Sequence, residues 1–278
     1  MDATLVLGGT GKTGRRVAER LRARNVPVRI GSRSGEPPFD WEKPETWAPA
    51  LQGARSVYIS YYPDLAVPGA VDVVGSFANV AVENGVPRLV LLAGRGEAEA
   101  EQAEQAVRDS GADLTIVRAT WFMQNFNEDH MVEHILAGAI ALPAGDTPEP
   151  FVDAGDIADV AAAALTDDTH IGELYELTGP RLLTFAQAAE EISNATGRDI
   201  PYVAVSLEEH AAVAAEQGVP AEVIDLLTYL FNEVLDGRNA HVTDGVQRAL
   251  GRDPRDFRDF AREAAATGVW DAPTERSE

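Results

Sequence analysis

Apolar residues in this chain fall into short unbroken runs separated by stripes at helical spacing. Leu5-Val6-Leu7 is the first such run, and a continuous apolar segment suits a parallel strand buried on both faces. Val17, Ala18 and Leu21 follow Gly14 at i+3, i+4 and i+7, the stripe of an amphipathic helix. The alternation repeats. It predicts strands at 26–31, 39–41, 56–60, 88–92 and 113–118, a brief helix at 46–51, and longer helices at 70–84 and 98–110. The glutamate-rich run of that last helix reads most simply as a solvated face.

Beyond residue 126 the pattern loosens. Residues 151–153 precede an alanine-rich helix at 156–165, and 174–178 reads as one more buried strand. Thr184 with Gln187, and Ser206 with Glu209, form capping-box pairs that open helices. Pro220 and Gly237 bound a helix with Val223, Leu227, Leu230 and Val234 on one stripe, widened by Phe231 and Leu235. That stripe reads as core or as a partner-facing surface. Residues 272–278 read as a frayed tail. Strands and helices alternating this regularly predict an α/β fold, a Rossmann-type doubly wound parallel sheet with a smaller α+β C-terminal lobe. The expected domains are 1–150 and 151–278, the first completed by the strand near 173–178.

Between the first strand and the first helix lie Gly8, Gly11 and Gly14 at Gly-x-x-Gly-x-x-Gly spacing. Missing side chains let backbone approach a pyrophosphate, and the amides and dipole of a helix start favour the anion. The turn from Gly8 through Thr10 to Gly14 therefore predicts a dinucleotide site. The second strand runs out into Ser32-Arg33-Ser34, with no acid before Glu36. An arginine at this place can hold a 2′-phosphate, whereas an acid would hold the ribose hydroxyls, so NADP(H) is expected over NAD(H). Asp40 could reach the adenine edge. Tyr61, Tyr62 and Pro63, and Gly94 on the next connection, follow strand ends where ligands sit in open parallel sheets.

Charge and composition narrow the function. A net charge of −22 opposes nucleic acid and anionic membrane. No cysteine is present, which removes disulfides, thiolate metal sites and thiol nucleophiles. No apolar segment approaches a membrane span, and Met1-Asp2-Ala3 leads straight into the first strand. The expectation is a soluble cytoplasmic protein acting on a small molecule, with a homodimer as candidate assembly.

These residues together resemble the NmrA-like group of atypical short-chain dehydrogenases/reductases. The resemblance is carried by the Gly8 to Gly14 turn, Arg33, and the stretch from Ser110-Gly111 through Arg118 to Trp121-Phe122 and Asn125-Phe126. Phe151-Val152-Asp153 with Asp156-Ile157-Ala158 extends it. Within that group the chain is similar to bacterial NAD(P)H-binding proteins of the NADPH:quinone reductase kind. The resemblance implies a Rossmann domain for NADP(H) and a smaller lobe closing over the nicotinamide. It implies that Lys12 and Thr13 contact phosphates, that Tyr61 and Pro63 flank the cofactor, and that Thr120, Trp121 and Phe122 lie near the nicotinamide.

One departure bears on mechanism. Typical short-chain dehydrogenases use a Tyr-x-x-x-Lys pair for proton transfer, but the only lysines here are Lys12 and Lys43, and no such pair exists. Hydride transfer to a quinone, or to a carbonyl or imine, with a loosely placed acid or solvent as proton source, is consistent with that absence. Tyr61, Tyr62 and His130 are the candidate acids. A protein that senses NADP(H) without chemistry and regulates a partner is the alternative. His130-Met131-Val132-Glu133-His134 also matches the H-x-x-E-H pattern of some zinc peptidases. After a sixth strand of this fold, a helix lining or capping the cleft is the plainer reading, and no metal is expected.

Overall fold

The computed structural model describes residues 3–129 and 131–271. The chain divides into two compact units. The first takes the chain up to Ala119, then Ala154–Leu177 and Thr243–Asp253; the second takes Thr120–Asp153, Thr178–Val242 and the chain from Pro254 onward. Unlike a boundary near residue 150, this division interleaves the two units along the sequence. The reason is that the chain returns to the first unit's sheet after the second unit has begun.

The first unit holds strands β1 (Ala3–Leu7), β2 (Val28–Gly31), β3 (Ala54–Ile59), β4 (Arg88–Gly94) and β5 (Asp113–Ala119). Counting onward along the chain, its last strand is β7 (Leu174–Leu177), and the sheet order is β2-β1-β3-β4-β5-β7. Every pairing is parallel. The helices are α1 (Lys12–Ala23), α2 (Trp47–Leu51), α3 (Ala70–Glu83), α4 (Ala98–Asp109), α6 (Ala154–Thr166) and α10 (Gly245–Leu250).

Leu5, Leu7, Val57, Ile59, Leu89 and Leu91 bury one sheet face beneath Val74 and Phe77 of α3 and Val107 of α4. Val6, Tyr58 and Val90 alternate with them and are equally buried, which is why these strands read as unbroken apolar runs. Opposite them α6 is anchored at its end by Arg88, whose guanidinium donates to the Ala164 and Asp167 carbonyls and pairs with Asp168.

The expected third strand at 39–41 does not form. Pro37 and Pro38 offer no N–H, the Phe39 N–H donates to the Ser32 carbonyl at 2.8 Å, and the Asp40 N–H donates to Thr46 Oγ1 at 3.0 Å. The Asp40 carbonyl accepts from Trp47 Nε1 at 2.9 Å. With these groups committed to a loop, no ladder forms beside β2, which stays the sheet's edge. Phe39 and Trp41 instead pack edge-on against Phe77, at ring separations of 5.6 and 5.3 Å. The acidic face of α4 is also not wholly solvated: Glu104 is buried and takes a two-pronged ion pair from Arg118, at 2.9 and 2.6 Å.

The second unit contains a two-stranded parallel sheet of β6 (Ile140–Leu142) and β8 (Tyr202–Ala204), which the sequence pattern did not reveal. Around it are α5 (Met131–Ala137), α7 (Phe185–Thr196), α8 (Leu207–Glu216), α9 (Ala221–Tyr229) and α11 (Phe257–Ala266). Its core stacks Phe126, Phe151, Phe185 and Phe257 edge-on or tilted, and the buried Trp270 donates its indole N–H to the Phe126 carbonyl at 2.8 Å. Both expected capping boxes are present, Thr184 with Gln187 on α7 and Ser206 with Glu209 on α8.

The helix expected between Pro220 and Gly237 changes form midway. α9 widens into a π-turn at Leu230–Val234, closed by the Leu235 N–H donating to the Leu230 carbonyl at 3.0 Å. That shift sinks Phe231, Val234 and Leu235 into the core. The tail at 272–278 lies outside the described residues.

Candidate functional site

In the first unit β1 is paired with β2 on one side and β3 on the other, so the sheet order reverses there and opens a crevice beyond the strands' carboxyl ends. The glycine turn sits at that point. Gly8 has φ +65°, and a Cβ on it would stand 3.1 Å from Ser60 Cβ. A Cβ on Gly9 would lie 2.7 Å from Ile30 Cδ1, and one on Gly14 would collide with the Gly8 carbonyl and lie 2.9 Å from Gly9 Cα. The turn is therefore packed from beneath by β2 and β3 and from behind by α1, with Gly11 N–H donating to the Gly8 carbonyl at 2.9 Å.

Gly11 is the N-cap of α1, no side chain caps the helix, and no acid stands in its first turn. The first amides of a helix have no intrahelical acceptor. The end of α1 thus presents N–H groups and positive dipole to an anion. Thr10 and Gly11 are exposed, Lys12 is half-buried and Thr13 is buried. This cradle, which side chains would fill, fits the pyrophosphate of a dinucleotide.

The other expected cofactor residues of the first unit cluster on neighbouring connections. Past β2, the Ser32 carbonyl accepts from Gly35 N–H at 3.0 Å and turns the chain, leaving Arg33 exposed. Asp40 spends its carboxylate locally, accepting from the Glu42 N–H at 3.1 Å and facing Lys43 Nζ at 3.5 Å. After β3, Tyr61 is half-buried with its ring 5.0 Å from that of Trp41. Burial, and then the Glu42 carboxylate, raise its phenol above the ordinary value. Tyr62 is 79% exposed, and Pro63 is exposed beside it. His130 lies outside the described residues.

Gly94 ends β4, and the structure adds a residue there that the sequence did not mark. Glu97, the N-cap of α4, folds its carboxyl into the space a side chain on Gly94 would occupy. It is 6% exposed, and Oε2 has no hydrogen-bond partner. Burial first, and then the charges of Asp64 and Glu99, push its pKa up to about 9. Nothing in the run Glu97-Ala98-Glu99-Ala100-Glu101 distinguishes this acid from its solvated neighbours. Burial alone sets it apart.

Thr120, Trp121 and Phe122 follow β5 directly and belong to the second unit. The Thr120 hydroxyl donates to Glu149 Oε1, and both residues are buried. Trp121 packs with its ring 5.1 Å from Phe231 and 5.7 Å from Phe185. The backbone on either side bridges to Val152: Val152 N–H donates to the Trp121 carbonyl at 2.9 Å, and Met123 N–H to the Val152 carbonyl at 2.8 Å. Asp153 accepts from Gln124 Nε2 at 3.1 Å and pairs with Arg255 at 3.3 Å. The motif at 151–153 thereby ties three segments of the second unit together.

Comparison with known proteins agrees with this reading. The model of the NmrA-like family matches residues 98–260, and an NAD(P)H-binding family model matches residues 8–168. An uncharacterized oxidoreductase, YesF, of Bacillus subtilis is 33% identical over 96% of this chain and 97% of its own. The NAD(P)H azoreductase of Xenophilus azovorans is 30% identical over 94% of this chain and 98% of its own. Among solved structures, the NADPH-dependent quinone oxidoreductase QOR2 of Escherichia coli, complexed with NADPH, superposes with a TM-score of 0.78 at 20% identity. It covers 94% of this chain and 99% of that one. Its likeness is one of fold. With the family models and full-length relatives in agreement, the chain belongs to the NmrA-like family, as an NAD(P)H-binding oxidoreductase.

Proposed function

We propose that the protein is an NADPH-dependent reductase that passes hydride to a small, flat, electron-poor acceptor, a quinone or else a carbonyl or imine. The observation that carries this reading is the glycine cradle at the sheet's switch point, closed to any side chain at Gly14 and open to an anion at α1. The azoreductase and quinone oxidoreductase among the similar proteins support a reductive direction.

The amides of α1 and the Lys12-Thr13 turn would hold the pyrophosphate. Arg33, exposed on the turn after β2, would pair with the 2′-phosphate and make NADPH the preferred form. Tyr61 and Pro63 would flank the cofactor. Bound NADPH supplies the hydride.

The proton has no Tyr-x-x-x-Lys source, since lysine occurs only at positions 12 and 43. An acceptor that leaves its proton to solvent suits this chain. NADPH oxidation against a panel of quinones, aldehydes and imines tests the reading, with turnover expected on quinones. Tight NADPH binding without turnover on any acceptor overturns it and favours a regulator that senses the nucleotide.

A further inference from the structure

Two acids meet at neighbouring strand ends of the first unit. Asp64 follows β3 on the Tyr61-Tyr62-Pro63 turn, half-buried, with Oδ1 accepting from the Ala66 N–H at 2.9 Å. Glu97 follows β4, which pairs with β3 in parallel, and it is 6% exposed. Its carboxyl is pinned over Gly94, and the Asp64 carboxylate is placed to accept its proton. The charges acting on Glu97 are both negative, Asp64 from the turn after β3 and Glu99 from α4. Arg95, two residues earlier, reaches Glu176 at 3.6 Å. Two carboxyls in such contact hold one proton between them, because the doubly ionised pair repels itself where water is scarce.

Packing does not explain the acid. Glu97 Oε2 is sealed from water without a hydrogen-bond partner, an arrangement that folding alone disfavours. A perturbed acid kept at a stability cost beside a ligand crevice points to chemistry. Its place fits that role. A Cβ on Gly8 would stand 3.1 Å from Ser60 Cβ, so the end of β3 borders the cradle. A dinucleotide laid across the switch point, with its adenosine half toward β2 and Arg33, carries its other half over the ends of β3 and β4. Those are the ends that bear Asp64 and Glu97.

We propose, on the reductase reading above, that Glu97 and Asp64 together store the proton that completes reduction of the acceptor. A quinone that has taken hydride from NADPH, two electrons with one hydrogen, is left as an oxyanion. The O–H bond of Glu97 breaks as its proton passes to Asp64, while Asp64, on the more open side of the pair, passes a proton to the oxyanion and forms the hydroquinone O–H. The pair then carries two negative charges and regains one proton from water. Solvent thus remains the ultimate source, and no tyrosine or lysine is needed. Glu97 acts through Asp64 and is a positioning residue for the proton.

Infrared spectra of the nucleotide-free chain and quinone kinetics test this together. At pH 7 the wild type should show the carbonyl band of a protonated carboxylic acid, lost as pH passes about 9 and absent in Glu97→Gln. Asp64→Asn should keep the band but lose it at lower pH, since the Asp64 charge helps to hold the proton on Glu97. On the best quinone of the panel, both variants should lower kcat at pH 7 about tenfold or more and move NADPH affinity less than about threefold. The alkaline fall of wild-type kcat should vanish in Glu97→Gln, a change that a purely structural Glu97 would not produce. Absence of the carboxylic acid band at pH 7, or unchanged kcat and pH profile in Glu97→Gln, overturns this proposal alone. Absence of wild-type turnover on every acceptor overturns the reductase reading and this proposal with it.

Discussion

The carboxyl of Glu97 lies where a side chain on Gly94 would have to go, so the end of β4 is closed by an acid that folding has removed from water. With its pKa pushed up to about 9, Glu97 keeps its proton at neutral pH. In the unfolded chain the same group has released that proton above the usual carboxylate value near 4.5. Between those two values each rise in pH therefore favours unfolding. Glu97→Gln, which mimics the protonated form, should stabilise the protein by on the order of 3 kcal/mol at pH 7 and by nothing near pH 4. Thermal melts of both proteins across that range check it; equal pH dependence in the two would refute it.

Arg118 and Glu104 make a different case, a buried acid met by a guanidinium. Glu104 accepts two hydrogen bonds from a guanidinium that also reaches Glu176 at 3.0 Å. Glu104→Gln should cost about 3 kcal/mol in urea unfolding, because it leaves a largely buried arginine short of charge. Replacing both residues with methionine should recover much of that loss.

Gly14→Ala should destabilise the fold by about 1–3 kcal/mol and weaken NADPH binding at least tenfold, since the new methyl meets the Gly8 carbonyl. Gly11→Ala is the control. Its Cβ would lie 3.3 Å from that same oxygen, so its melting temperature should move much less. Nucleotide titration by fluorescence reads the binding half of the comparison.

Arg33→Ala should lower NADPH affinity by about tenfold to a hundredfold and leave NADH affinity nearly unchanged, because only NADPH carries the phosphate a guanidinium would pair with. Equal losses would show that Arg33 does not select the cofactor.

Much of the sheet was legible because parallel strands buried on both faces leave unbroken apolar runs. Leu5-Val6-Leu7 and the run that became β4 both announce themselves in this way. The capping boxes were legible for a similar reason, since Thr184 with Gln187 bond only to their own turn. What failed was anything decided by distant partners. Phe39-Asp40-Trp41 has a strand's composition, yet Ser32, Thr46 and Trp47 claim its backbone. Glu97 and Glu104 stand among solvated acids of the same type and spacing, and only packing separates them. The single stripe read along 220–237 was also misleading, because the helix turns to π form at Leu230–Val234 partway along it.

The interleaving of the two units bears on how the chain is made. A ribosome delivers the first five strands of the sheet in sequence, but the partner of β5 at the sheet's edge arrives only with Leu174–Leu177, after a long stretch belonging to the other unit has emerged. Helix α10, which packs on that last strand so closely that Gly245 leaves no room for a side chain beside the Glu176 carbonyl, comes later still. A nascent chain halted near residue 150 would thus expose one flank of β5 to any passing strand.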